Sequence, residues 1–265
     1  MLSLFLGVYG HFLVLVLVSA QTKTLCEFTF RWNEKCLNIE KMTLKHLLRN
    51  VWSRKVSMQH HWLTWDELKS QFPTDGEFKD GMRGQQETGL RFVGDKGSCT
   101  LELPTGSGKT AMEVSIARVA KKHFKKCYVV TPTKTIVDQI VARFPDDFTV
   151  ALGRNSYPCY YYEKNKETLE IPDRQYKYSA DDVPVSLCHL CPHYVDQETG
   201  EMKEEDAAPC QYYRAKFEAR TSRKPVLATL AFYLFSRLFS KGFDEPDVLV
   251  IDEAHRVAET VRSAL

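Results

Sequence analysis

An apolar pentad, Cys99–Leu103, runs straight into Pro104-Thr105-Gly106-Ser107-Gly108-Lys109-Thr110. From there the chain enters a stretch with apolar residues at Ala111, Val114, Ile116, Ala117, Val119 and Ala120. A short apolar run bounded by Pro and Gly is the pattern of a buried strand, and apolar residues three and four apart mark one buried face of a helix, here Lys109–Phe124. Gly106 and Gly108 allow the backbone to turn so that N–H groups point inward, and the helix that follows offers the positive end of its dipole. The segment is therefore a cradle built for phosphate groups. A strand that feeds a helix in this way needs a parallel neighbour to return to, which restricts the chain to an α/β architecture.

The rest of the chain keeps that rhythm. Further strands are expected at Cys127–Thr131, Phe148–Leu152, Val226–Thr229 and Val248–Ile251, separated by helical patterns. The expected fold is a P-loop (RecA-like) parallel sheet flanked by helices, and 43% hydrophobic residues supply the core it needs. The formal net charge is only +2, so any attraction to nucleic acid has to come from a local patch. Lys121, Lys122, Lys125 and Lys126 form a basic run, but they close the predicted helix, where cations complement the dipole.

Each residue of the cradle has a definite chemical task. Pro104, Thr105, Gly106, Ser107 and Gly108 shape the loop, Lys109 reaches the β- and γ-phosphates, and Thr110 ligates Mg²⁺. Leu103 stands where the general P-loop pattern has glycine, and Pro-Thr-Gly-Ser-Gly-Lys-Thr is the form found in helicases. The second half of such a site is Val248-Leu249-Val250-Ile251-Asp252-Glu253-Ala254-His255. A hydrophobic strand ending in two carboxylates delivers Asp252 to hold Mg²⁺ and Glu253 to polarise the water that attacks the γ-phosphate. The implied cofactors are ATP and Mg²⁺. His255 completes Asp-Glu-Ala-His, where superfamily 2 helicases place a residue that links hydrolysis to nucleic acid. Gln86, in Arg83-Gly84-Gln85-Gln86, stands where those helicases put a glutamine that reads the adenine edge, with Gln85 as the competing register.

Four of the eight cysteines fall in one stretch, as Gly153-Arg154-Asn155-Ser156-Tyr157-Pro158-Cys159, Cys188-His189-Leu190-Cys191 and Cys210-Gln211-Tyr212-Tyr213. The stretch breaks the strand–helix rhythm and has no long apolar run, so residues 153–217 are expected to be an insertion held by metal in place of a core. Zinc on four cysteines, with His189 or His193 as substitutes, or plain structural cysteines, suit the spacing. The combination of P-loop, cysteine insert and Asp-Glu-Ala-His resembles the DinG/XPD group of iron–sulfur helicases over about residue 72 to the end. In that group Gly-Arg-x-x-Tyr-x-Cys opens an insert whose four cysteines hold a [4Fe–4S] cluster. The resemblance thus implies Cys159, Cys188, Cys191 and Cys210 as cluster ligands. It also implies a 5′-to-3′ DNA helicase acting on single-stranded DNA or a forked duplex, in the cytoplasm or nucleus. Thr133, Thr135 and Gln139 follow the second strand where relatives touch the nucleic-acid backbone, although helix capping explains the threonines equally. Tyr160, Tyr161, Tyr162, Tyr212 and Tyr213 either stack on bases or pack around the cluster. The rival from another class is a non-catalytic DNA-binding module that keeps these sites as a folded platform.

Residues 1–71 carry no legible motif. Met1–Ala20 is apolar and ends in Val18-Ser19-Ala20, as a signal peptide does, yet no Lys or Arg precedes Lys23. Export or tethering is one reading, a start codon wrongly assigned upstream of Met42 or Met58 the other, and no membrane association is expected. Cys99 and Cys127 sit in apolar runs as small buried hydrophobes. Because the chain stops at Leu265, soon after the Asp-Glu-Ala-His strand, the expectation is a fragment or truncated product. A second motor domain with its arginine finger, or a partner, would supply the other wall of the site.

Overall fold

The computed structural model describes residues 13–19, 62–75, 78–165, 179–204, 206–239 and 243–264. Two compact units emerge, one from Met1–Val129 with Pro246–Val257 and the other from Val130–Glu245 with Ala258–Leu265. Trp32, Trp52, Cys26, Cys36, Met42 and Met58 lie outside the described residues.

The chain begins with strand β1 (Leu13–Ser19) and helices α1 (Trp65–Ser70) and α2 (Gly84–Lys96), followed by β2 (Cys99–Leu103) and α3 (Lys109–Lys122). Next come β3 (Cys127–Thr131), α4 (Lys134–Arg143), β4 (Thr149–Ala151), α5 (Tyr160–Lys164), α6 (Val185–Cys188) and α7 (Gln211–Thr221). The series closes with β5 (Val226–Thr229), α8 (Leu230–Phe239), β6 (Val248–Asp252) and α9 (Val257–Ala264). Strand β3 crosses from the first unit to the second between Val129 and Val130.

In the first unit the hydrogen-bonded strand order is β2-β1-β6-β3. Leu13–Ser19, within the apolar run Met1–Ala20, forms a strand. It lies parallel to β2, from Leu15↔Cys99 to Ser19↔Leu103, and parallel to β6, from Leu13↔Val248 to Leu17↔Asp252. The physical reason is that an unbroken Leu/Val run is also what a parallel strand covered on both faces requires, and hydropathy alone does not separate it from an export signal. Its register brings the C-terminal ends of β2 and β6 to one edge of the sheet, the edge where ligands bind in open α/β folds.

Helix α3 is buried on nearly every side, from Ala111 to Ala117 and at Val119 and Ala120, where the sequence predicts a single buried face. Its polar residues need partners for that reason, and Ser115 Oγ donates to the Leu68 carbonyl of α1 at 2.6 Å. Leu68 and Leu90, both fully buried, come from α1 and α2. The helix ends at Lys122, two residues short of the expected Phe124. There Phe124 turns left-handed (φ 56°) and Lys125 N–H closes onto the Ala120 carbonyl at 2.9 Å. Two of the basic residues are paired, Lys122 with Glu67 at 2.7 Å and Lys125 with Asp247 at 3.6 Å.

In the second unit β4 is shorter than the expected Phe148–Leu152 and pairs parallel with β5, from Thr149↔Val226 to Ala151↔Ala228. The insert, expected to lack a core, has a small one. Ala180, Val195, Tyr212 and Tyr213 are buried together, with Tyr157, Tyr194, Met202 and Phe217 packed around them. Aromatic rings supply it, each burying a large area from a segment with no apolar run.

Candidate nucleotide site and cysteine insert

The loop of residues 104–108 joins β2 to α3 in the first unit. Gly106 (φ 79°) and Gly108 (φ 82°) both adopt left-handed backbone that other residues avoid. Ser107 is buried and its Oγ makes no hydrogen bond, while Lys109 and Thr110 open α3. Pro104, Thr105 and Gly106 are exposed at the rim.

Strand β6 delivers the other half. Asp252 is its last residue and is 8% exposed. Glu253 follows in left-handed conformation (φ 48°), a strained geometry for a residue with a side chain that concentrates at functional sites. The turn aims its carboxylate across the site. Lys109 Nζ lies 3.2 Å from Glu253 Oε1, and His255 Nδ1 lies 3.3 Å from the other oxygen, Oε2. Burial, with Glu253 adding and Lys109 opposing, pushes the Asp252 carboxyl up to about 6.

Gln86 is buried, and its amide spans two elements: Oε1 accepts from Arg83 N–H at 2.8 Å and Nε2 donates to the Gly108 carbonyl at 3.2 Å. The acceptor caps the start of its own helix α2 and the donor ties that helix to the phosphate loop, whereas Gln85 is exposed. Arg83 adds a second tie, Nη1 donating to the Gly106 carbonyl at 2.7 Å.

The sequence gives no role to Glu113, which proves to be buried one turn behind Lys109 with both carboxylate oxygens unbonded. The available signal is a single acid inside the apolar run Ala111-Met112-Glu113-Val114.

In the second unit the four cysteines are free, half-buried thiols. Cys159 and Cys210 sit at the N-caps of α5 and α7, and Cys188 ends α6. Burial pushes the thiols of Cys159, Cys191 and Cys210 above their ordinary value, and Cys188 adds to the effect on each. Cys188 and Cys210 pack against the same tyrosine core. Among the described residues no three His, Cys, Asp or Glu side chains are gathered to hold a single metal ion. Arg154, unassigned from sequence, donates through Nη2 to the Val183 carbonyl and to Cys188 Sγ at 3.5 Å. His193 is buried with Nδ1 at 2.7 Å from the Ala208 carbonyl, while His189 is exposed.

Tyr212 and Tyr213 pack into the insert core, and the Tyr160 hydroxyl accepts from Gln211 at 2.6 Å. Thr133 caps α4, its hydroxyl accepting from Ile136 N–H at 3.5 Å, and Thr135 and Gln139 are exposed.

Fold and site together define a P-loop nucleotide-binding domain. Residues 64–264 match the family described as type III restriction enzyme, res subunit, and the chain belongs to that family. This is an ATP-dependent, superfamily 2 helicase-type domain, of a kind that binds nucleic acid. None of the curated proteins compared matches the chain. Among the described residues no helix is long and apolar enough to cross a membrane.

Proposed function

We propose that the first unit binds MgATP and hydrolyses it to drive movement along single-stranded DNA, and that the second unit carries a [4Fe–4S] cluster. The observation that carries the hydrolytic reading is the Glu253 carboxylate, which meets Lys109, 144 residues away in the chain, at 3.2 Å through one oxygen and His255 at 3.3 Å through the other.

In this reading Lys109 leaves Glu253 to neutralise the β- and γ-phosphates, and the cradle N–H groups hold their oxygens. Glu253, once released, orients the attacking water and takes its proton, and ADP and phosphate leave. Thr110 and Asp252 are the residues that would hold the magnesium ion, which when bound neutralises phosphate charge. The unbonded Ser107 hydroxyl and the buried Asp252 suit such guests. His255, on the far oxygen of Glu253, would report the state of that carboxylate to a bound nucleic acid. Gln86 serves the adenine edge only by exchanging one of its present partners.

For the cluster, the supporting features are the four free thiols of the insert, two of which, Cys188 and Cys210, pack on one core, and the Arg154 guanidinium beside Cys188. Cys159, Cys188, Cys191 and Cys210 would be its ligands, with the cluster acting as a rigid clamp on the insert. The DinG/XPD resemblance favours DNA, as a single strand or a forked duplex, as the partner.

Steady-state ATPase measured with and without single-stranded DNA tests the proposal. Hydrolysis that depends on Glu253 and rises with DNA is the expected result. Nucleotide and DNA binding with no turnover would leave a non-catalytic binding platform in its place.

A further inference from the structure

Glu113 is 2% exposed and neither of its carboxylate oxygens makes a hydrogen bond. An ionised carboxylate left this way is costly to fold around, and every apolar neighbour in α3 fills space without that penalty. Stability of the helix gives no reason for an acid here.

Its position does. Residues three and four apart share a helix face, so Glu113 stands directly behind Thr110 and Lys109. Helical side chains lean toward the N-terminus, which turns its carboxylate back toward the phosphate cradle. Burial holds its carboxyl well above the usual carboxylate range, with Asp252 and Glu253 adding to the effect and Lys109 opposing it, so it feels the ionic groups proposed to meet the nucleotide.

We propose that Glu113 is a positioning residue for the divalent cation of the nucleotide: its carboxylate accepts hydrogen bonds from water held on the magnesium ion bound at Thr110 and Asp252. The inference rests on the MgATP reading above. Mg²⁺ dehydrates reluctantly and keeps several waters when one or two protein oxygens and substrate phosphates bind it. Those waters need acceptors, and Glu113 offers two carboxylate oxygens that no protein group occupies. Glu113 would fix their orientation, and so the place of the ion, without touching phosphate itself.

The test is a titration of the full 265-residue chain with a fluorescent ATP analogue, over a range of Mg²⁺ concentrations and in EDTA. Glu113→Gln keeps the size and removes the charge. It is expected to raise the Mg²⁺ concentration at half-maximal nucleotide binding by about tenfold, the low end of what loss of such an outer-sphere partner does. Binding in EDTA, and the melting temperature of the metal-free protein, should not fall. An unchanged Mg²⁺ dependence overturns the inference and leaves Glu113 as a neutral core acid. Should Glu113→Gln not fold, Glu113→Asp, which withdraws the carboxylate by one methylene, is read in the same way, with the same shift expected and no shift overturning it. A parent chain that binds no nucleotide at any Mg²⁺ concentration overturns the MgATP reading itself, an outcome distinct from parent and variant binding alike.

Discussion

Lys109 Nζ and Glu253 Oε1 stand 3.2 Å apart, the cation of the phosphate cradle held by the carboxylate proposed to activate water. Substrate phosphates have to replace that carboxylate, so the two substitutions should separate cleanly. Lys109→Ala is expected to abolish MgATP binding. Glu253→Gln is expected to retain binding and lower turnover by about 10²–10⁴-fold, the scale of lost general-base catalysis. Fluorescent-nucleotide titration beside phosphate release measures both, and parent-like ATP binding by Lys109→Ala would refute the cradle.

Asp252 gives the metal-free protein a pH signature. Its folded value of about 6 lies above the ordinary 3.8, raised first by burial, so the fold favours the protonated acid. The stabilising contribution is complete below the lower value and is lost as pH rises through about 6. In EDTA the parent should therefore lose stability relative to Asp252→Asn across that window, read from denaturant midpoints. Mg²⁺ with ATP should reverse the trend, because ion binding requires the ionised carboxylate.

The cysteine insert should reveal its guest by colour. Anaerobically purified protein is expected to be brown with iron and acid-labile sulfide, and Cys188→Ser or Cys191→Ser to bleach it. The tyrosine core around Tyr212 and Tyr213 should leave the bleached insert partly folded, visible as retained resistance to limited proteolysis. Stoichiometric zinc without iron would replace the cluster with a Cys₄ zinc site.

Strand β1 makes the start of the chain testable. Leu17 pairs with Asp252 and Ser19 with Leu103, so a chain begun at Met58 would open the sheet between its two site-bearing strands. The expected loss exceeds about 5 kcal/mol, the whole margin of many domains, and nucleotide binding should go with it. Thermal melting and nucleotide titration of the shortened chain check this, and parent-like behaviour would make β1 dispensable.

Local chemistry determined much of the protein from sequence alone. The left-handed turns at Gly106 and Gly108 and the helix start at Lys109 and Thr110 are legible because glycine backbone freedom and helix-end N–H groups act over a few residues. The Asp252-Glu253 pair at the end of an apolar strand is legible for the same reason. Only tertiary structure decided the rest. That Leu13–Ser19 pairs as a strand between β2 and β6 is something no local pattern records. Gln86 looks like a free amide until the fold brings the Gly108 carbonyl to it, and Glu113 becomes conspicuous only when nearly all of α3 is buried. The insert's core likewise arises from rings dispersed along the chain from Tyr157 to Phe217, whose contacts are long-range and leave no periodicity to read.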